Sequence, residues 1–151
     1  MSAARGDEVV AVALGGVVGA LARFAVSTAV PHSDRAAWPW ATFVTNLLGC
    51  LLLGVVLDWV DNRHEAWRTI HPRRARLARP LLASGVLGGF TTFSTLSLET
   101  YGLLDTGHAG AAFGYAAGSV LLGVAMVVVG RALGAAVFGA APLDLREDEA
   151  L

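Results

Sequence analysis

Residues 88–100, GGFTTFSTLSLET, directly follow an apolar run and place five hydroxyl side chains ahead of a glutamate. Hydroxyl groups can donate hydrogen bonds to an anion or offer lone pairs to a cation. Thr92, Thr95 and Glu99 are spaced i, i+3 and i+7, so on a helix they share one face. This order of apolar, small, hydroxylated and acidic residues is unsuited to a soluble helix core and favours a polar face that guides an ion.

Further polar groups lie within other apolar runs of the chain. The amide of Asn46 can donate two hydrogen bonds, and its alternative role is to bond a neighbouring helix. Arg23 faces a cavity or extends its charge to the membrane surface. The ring of Phe93 has a positive edge that can meet an anion, although packing is the commoner role of such a ring. Tyr115 and Ser119, spaced i and i+4, form a hydroxyl pair on one helix face.

The glycine pair Gly88-Gly89 lies near the middle of the third apolar run. Glycines at that depth loosen a helix and can leave carbonyl groups without helical partners. Such carbonyls coordinate cations in the broken helices of transporters, whereas a kink or packing notch is the simpler alternative. The residues alone leave both a broken helix and a simple kink open at this pair.

Enzymatic chemistry is absent from the sequence pattern. The chain has no nucleotide-binding loop, no catalytic triad and no carboxylate pair of enzymatic type, and Cys50 is its single cysteine. There is no His/Cys cluster with zinc-ligand spacing, and a net charge of −1 does not indicate a nucleic-acid partner. The sequence therefore favours a protein that is not an enzyme.

The elements that position these groups are long apolar segments. The chain is 55% hydrophobic and 15% charged, against about 25% charged residues in soluble domains. A membrane-spanning helix needs about 20 apolar residues. Residues 1–151 are therefore predicted to form one all-α membrane domain, with an acidic, flexible tail at 140–151. The four predicted transmembrane helices cover residues 9–30, 40–58, 80–103 and 109–131.

Small residues recur at four-residue spacing in these segments. Glycine allows close approach of helix backbones, which drives helix association in lipid. The pattern predicts four tightly packed helices, with contacts at Gly15/Gly19, Gly85/Gly89, Gly114/Gly118 and Gly130/Gly134.

Motifs in all four spans resemble the Fluc/CrcB family of fluoride channels. The matching stretches are GGVVGALARF, TFVTNLLGCLLLG, GVLGGFTTFSTLSLE and GYAAGSVLLG. The resemblance implies an antiparallel dimer of four-helix subunits in a lipid bilayer, with two fluoride pathways. It also implies that the third helix is broken at Gly88-Gly89. A structural Na+ ion, not transported, would lie where the two broken helices meet at the dimer centre.

Residue by residue, the resemblance implies specific roles. The position three residues after Phe93 usually holds a second phenylalanine in this family, and here it is Leu96. One fluoride position of this subunit therefore lacks its ring. The carbonyls of Gly88 and Thr91 would bind Na+, and Arg23 would face a vestibule. The fluoride pathway would be formed by Asn46, Phe93, Thr95, Glu99, Tyr115 and Ser119.

Arginine distribution predicts the orientation. Positive residues in short loops favour the cytoplasmic side. With four spans, the termini and residues 61–79 share one side, which carries nine arginines against Arg35 alone on the other. Both termini are predicted to be cytoplasmic, and the antiparallel partner is expected to be an oppositely oriented homologous subunit. The nine are Arg5, Arg63, Arg68, Arg73, Arg74, Arg76, Arg79, Arg131 and Arg146.

The function that this resemblance implies is a passive fluoride-selective channel subunit of a bacterial plasma membrane, which lowers cytoplasmic fluoride. One alternative is a small multidrug-resistance-type exporter, but its essential glutamate belongs in the first helix, where this chain has Arg23. Another alternative is a non-transporting membrane assembly subunit, in which the polar residues serve only to join helices.

Overall fold

A computed structural model describes residues 3–29 and 38–138 of the chain, and this part contains helices and no strand. The third membrane segment is composite, because a wider π-helical stretch at Pro80–Leu87 lies between α-helical pieces. The α-helices in chain order are α1 (Ala3–Ala29), α2 (Trp40–Ile70), α3 (Pro72–Arg79), α4 (Gly88–Phe90), α5 (Phe93–Asp105) and α6 (Ala109–Phe138).

Four helical segments are long and apolar enough to cross a membrane: Arg5–Ala29, Trp40–Asp61, Pro72–Asp105 and Ala109–Phe138. Their outer faces expose large apolar side chains, which suits contact with lipid tails. The prediction of an all-helical chain with four spans is confirmed. The predicted tail at 140–151 lies outside the described residues. Examples of exposed apolar side chains on α1 and α6 are Leu14, Leu21, Leu121 and Val128.

The connection predicted at residues 61–79 is helical apart from His71. Helix α2 continues to Ile70 and α3 begins at Pro72. Arginine, alanine and leucine favour helix regardless of burial. Proline lacks an N–H group and is tolerated in the first turn, so Pro72 ends one helix and begins the next. The apolar run therefore located the membrane segment but not the end of the helix.

The break in the third span lies two residues beyond the predicted position. The pair Gly88-Gly89 is helical within α4, and the chain becomes extended at Thr91 (φ −78°, ψ 159°) and Thr92 (φ −147°, ψ 123°). Helix α5 then begins at Phe93. The predicted boundary at Gly88-Gly89 is therefore corrected to Thr91–Thr92.

Glycines bring α1 against the third span. A Cβ atom at Gly15 or Gly19 would overlap backbone oxygens of the π-helical segment. In the reverse direction, a Cβ at Gly85 would lie 2.9 Å from the Cα of Gly15, and one at Gly89 would meet the backbone of Gly16. Gly89 thus serves close packing against α1, whereas a Cβ at Gly88 would make only an ordinary contact of 3.8 Å with the carbonyl oxygen of Ala83.

Glycines also bring α2 and α6 together. A Cβ at Gly130 would overlap the carbonyl oxygen of Leu51, and one at Gly54 would overlap the backbone of α6. Further along α6, a Cβ at Gly134 would lie 2.7 Å from the Cβ of Asp58, a buried side chain. Two backbones in such close contact fix the crossing point of these helices.

The predicted glycine pair Gly114/Gly118 has a different setting. A Cβ at Gly114 or Gly118 would meet only the rings of Trp38 and Phe43, each at 4.0 Å. This pair therefore does not lie at a close helix crossing within the described chain. It borders the small apolar core between α5 and α6, whose buried members are Leu96, Leu103, Ala112 and Tyr115.

Candidate functional site

The side chain of Asn46 holds the extended backbone at Thr92. The Nδ2 atom of Asn46 donates to the Thr92 carbonyl oxygen over 3.1 Å, and its Oδ1 accepts from the Thr92 N–H over 2.9 Å. Because a backbone N–H can only donate and a carbonyl can only accept, these contacts fix the orientation of the amide. Asn46 therefore satisfies both backbone groups of Thr92, which the helix break would otherwise leave unpaired.

The Asn46 contact frees the carbonyl of Gly88. In a continuous helix, the N–H of Thr92 would donate to the Gly88 carbonyl four residues earlier, but it donates to Asn46 instead. The Thr91 carbonyl accepts a long hydrogen bond of 3.4 Å from NH1 of Arg23. The two carbonyls predicted to bind Na+ thus lie at the break. Among the described residues, no group of three or more His, Cys, Asp or Glu side chains offers an alternative metal site.

Thr92 also caps the helix that follows the break. Its Oγ1 accepts from the N–H of Thr95 over 3.1 Å and donates to the Thr95 hydroxyl over 3.0 Å, with the Ser94 hydroxyl at 3.2 Å. Threonine is a favoured N-cap residue because its hydroxyl satisfies a free N–H of the first turn. Thr92 was predicted to lie on the polar face, but its capping role was not predicted. The signal was available, since Thr92 directly precedes the first helical residue, Phe93.

Glu99 accepts hydrogen bonds on both carboxyl oxygens. Thr42 Oγ1 donates to its Oε1 over 2.8 Å, and the Tyr115 hydroxyl donates to its Oε2 over 2.6 Å. Both donors are buried, and the ring of Tyr115 packs edge-on against Trp38 with centroids 5.5 Å apart. Three spans therefore converge on one carboxyl group. Thr42 was not among the predicted pathway residues, although it precedes Asn46 by one helical turn.

A groove of about 300 Å³ lies beside the break, between α2, the third span and α6. The Ser119 Oγ is buried and has no hydrogen-bond partner within the described residues. The Phe93 side chain is 79% exposed, and the groove-lining Leu96 is buried. An unpaired hydroxyl, an amide and an exposed ring thus share one groove. The predicted site residues that line it are Asn46, Gly88, Thr91, Phe93 and Ser119.

A second groove, of about 510 Å³, is lined by Arg23 and by the hydroxyl groups of Thr42, Thr45, Thr92 and Thr95, among others. Thr92 lines both grooves. The structure therefore brings the predicted residues together as two sets that meet at the break. Arg23 and Thr95 lie in the second groove, and Thr42 connects it to the carboxyl group of Glu99.

Comparison with known proteins gives a consistent result. Residues 10–131 match the family described as "CrcB-like protein, Camphor Resistance (CrcB)". The chain is 46% identical over 131 residues to the "Fluoride-specific ion channel FluC 2" of Nocardia farcinica, covering 87% of each protein. It is 43% identical over 122 residues to the FluC channel of Desulfotalea psychrophila, covering 81% of this chain and 88% of that one. With the FluC channel of Thermus thermophilus it shares 42% identity over 128 residues, covering 85% and 95%.

Proposed function

This chain belongs to the CrcB family, a family of membrane channels rather than enzymes, and from that membership we propose that it is a passive, fluoride-selective channel subunit. It is a multi-pass membrane protein with four spans. In this proposal, the protein lies in a bacterial plasma membrane with both termini in the cytoplasm, and lowers cytoplasmic fluoride. The supporting observation is the groove at the helix break, where hydrogen-bond donors converge without a fixed cation among its lining residues.

The groove contains the donors that a small, strongly hydrated anion needs in place of water. Asn46 has two N–H groups and uses one on Thr92, which leaves the other for an anion. Ser119 has a hydroxyl without a partner among the described residues, and the positive ring edge of Phe93 is accessible. These groups are neutral, so they would bind an anion loosely enough to allow exit, as conduction requires.

We also propose a structural Na+ ion held by the carbonyl groups of Gly88 and Thr91. Carbonyl oxygen suits a hard cation, and carbonyls freed at helix breaks coordinate Na+ in transporters. The loss of the Thr92 N–H from the Gly88 carbonyl supports this assignment. Two-fold symmetric or pseudosymmetric pairing would supply an equivalent pair of carbonyls from a second subunit. The antiparallel dimer is thus part of the same proposal.

Fluoride efflux from liposomes tests the proposed channel. Two sets are needed, one with this chain alone and one with this chain and an oppositely oriented homologue. The variant Phe93→Ile is expected to slow efflux about two- to tenfold, because an aromatic contact contributes about 0.5–1.5 kcal/mol beyond its buried area. Phe113→Ile is the matched control, since Phe113 is 72% exposed and lines neither groove. Chloride efflux should remain low throughout.

Two results would contradict the proposal. Parental efflux with Phe93→Ile would exclude the ring-edge contact. Absence of fluoride efflux from both liposome sets would exclude the channel and favour an assembly subunit whose polar groups only join helices. Sodium is expected to stay behind while fluoride leaves, so a one-for-one sodium flux would indicate symport and exclude a purely structural ion.

Topology reporters fused to the C-terminus test the proposed pairing with an oppositely oriented homologue. The predicted cytoplasmic side carries nine arginines against one, so a single orientation is expected. The signal should come from a cytoplasmic reporter, with an external reporter silent. Equal signals from both reporters, or strong fluoride efflux from this chain alone, would show that it pairs with an inverted copy of itself.

A further inference from the structure

The corner between α2 and α3 carries a basic cavity that the ion pathway does not use. Its volume is about 450 Å³, and no carboxylate is among its lining residues in the described chain. Three lining side chains can donate to an anion and the other three are apolar. The lining consists of Ile70, His71, Pro72, Arg73, Arg74 and Leu77.

The donors in this corner are accessible. The Arg73 Nε donates to Asp7 over 3.1 Å, yet the Arg73 side chain is 73% exposed, so its terminal nitrogens remain available. Arg74 and His71 are exposed. Arg74 has no side-chain hydrogen bond or ion pair within the described residues. Arg74 therefore adds a positive charge without a partner in the described part of this chain, beside an Arg73 that Asp7 only partly occupies.

The position of the corner relative to the bilayer suggests where that partner lies. Helix α3 continues directly into Pro80, the first residue of the apolar π-helical stretch. Arg73 and Arg74 precede Pro80 by six or seven residues, or about 10 Å along a helix axis. Each headgroup layer is about 5–8 Å thick, and a long arginine side chain can cover the remaining distance.

We propose that this corner binds the phosphate headgroup of an anionic phospholipid. Guanidinium groups bind phosphate oxygens through paired hydrogen bonds, and Arg73 and Arg74 present two of them. Ile70 is 69% exposed and Leu77 lies in the same cavity, so an acyl chain has an apolar surface beside the headgroup. Free phosphate would leave that surface in water. The site depends on membrane insertion and not on fluoride conduction.

Native mass spectrometry of the detergent-solubilised chain tests this site, with phosphatidylglycerol and phosphatidylcholine as the probes. Phosphatidylglycerol is expected to bind more tightly. Arg74→Gln should weaken its binding about fivefold, and the double variant Arg73→Gln/Arg74→Gln about 25-fold, from the usual contribution of one basic residue near an anionic membrane surface. Phosphatidylcholine binding should change little.

Arg131→Gln is the matched control. It removes the same charge from α6, which makes no contact with α3 in the described chain, and Arg131 pairs with Asp61 instead. Equal weakening by Arg131→Gln would show a net-charge effect and overturn the site. Displacement of the lipid by millimolar inorganic phosphate would reassign the cavity to free phosphate. Should Arg74→Gln fail to fold, equal affinity of the unmodified chain for both lipids would still overturn the proposal.

Discussion

Replacing Asn46 with leucine is expected to reduce fluoride efflux at least 100-fold. Leucine is similar in size but cannot bond the Thr92 N–H or carbonyl, which Asn46 holds at 2.9 and 3.1 Å. Each buried backbone group left unpaired costs about 1–3 kcal/mol, so the extended conformation at the break loses about 2–6 kcal/mol of support. The groove also loses its amide donor. Efflux and thermal unfolding of the variant should therefore both change.

The variant Asn46→Asp separates support of the backbone from the supply of a donor. An aspartate can still accept from the Thr92 N–H, but when ionised it cannot donate to the carbonyl or to an anion. We expect a smaller loss of thermal stability than with leucine and an equally severe loss of efflux. Val44→Thr is the control, because Val44 lies on α2, is exposed and lines neither groove. Normal efflux with Asn46→Leu would exclude Asn46 from the pathway.

Gly130→Ala is expected to destabilise the fold even though alanine favours helix over glycine by about 1 kcal/mol. The added Cβ would overlap the carbonyl oxygen of Leu51 and approach the Cα of Gly54 at 3.1 Å. Both obstacles are backbone, so the helices must separate, and overpacking of this kind costs about 1–3 kcal/mol or more. The measurement is the midpoint of thermal unfolding in detergent, which should fall.

Gly118→Ala is the matched control for this substitution, since it lies on the same helix. Its added Cβ would lie 4.0 Å from a ring carbon of Phe43, an ordinary contact. The gain in helix propensity should then dominate, and the unfolding midpoint should stay the same or rise. A similar fall in both variants would mean that glycine is needed along α6 for some other reason than the α2 crossing.

The four spans could be predicted because lipid requires long apolar segments, and these are continuous runs in the sequence. Helical residues that flank the apolar runs, such as those from Pro72 to Arg79, could not be recognised by the same signal because they are mostly polar. The polar face through Thr92, Thr95 and Glu99 was also a local pattern, set by the helical period. Its inference needed no knowledge of how the helices are arranged.

The partners of that polar face could not be predicted from the local pattern. Asn46 and Thr92 are 46 positions apart, and Thr42 and Glu99 are 57 apart. Such contacts depend on which helices cross and at what height, which glycines such as Gly54 and Gly130 decide. The position of the break was missed for the same reason. The prediction treated glycine as a weak point of the helix. The break instead lies where Asn46 can bond both backbone groups of Thr92.

The contact between Asn46 and Thr92 has a consequence for the biogenesis of the protein. Synthesis proceeds from the N-terminus, so α2 is made before residues 88–100. The amide of Asn46, which bonds the backbone of Thr92, is therefore already present when the third span is translated. Glu99 has a different history, because its first donor, Thr42, precedes it and its second, Tyr115, follows. The backbone of Thr92 can thus be hydrogen-bonded as soon as the third span contacts α2, whereas Glu99 gains its second donor only after α6 has been made.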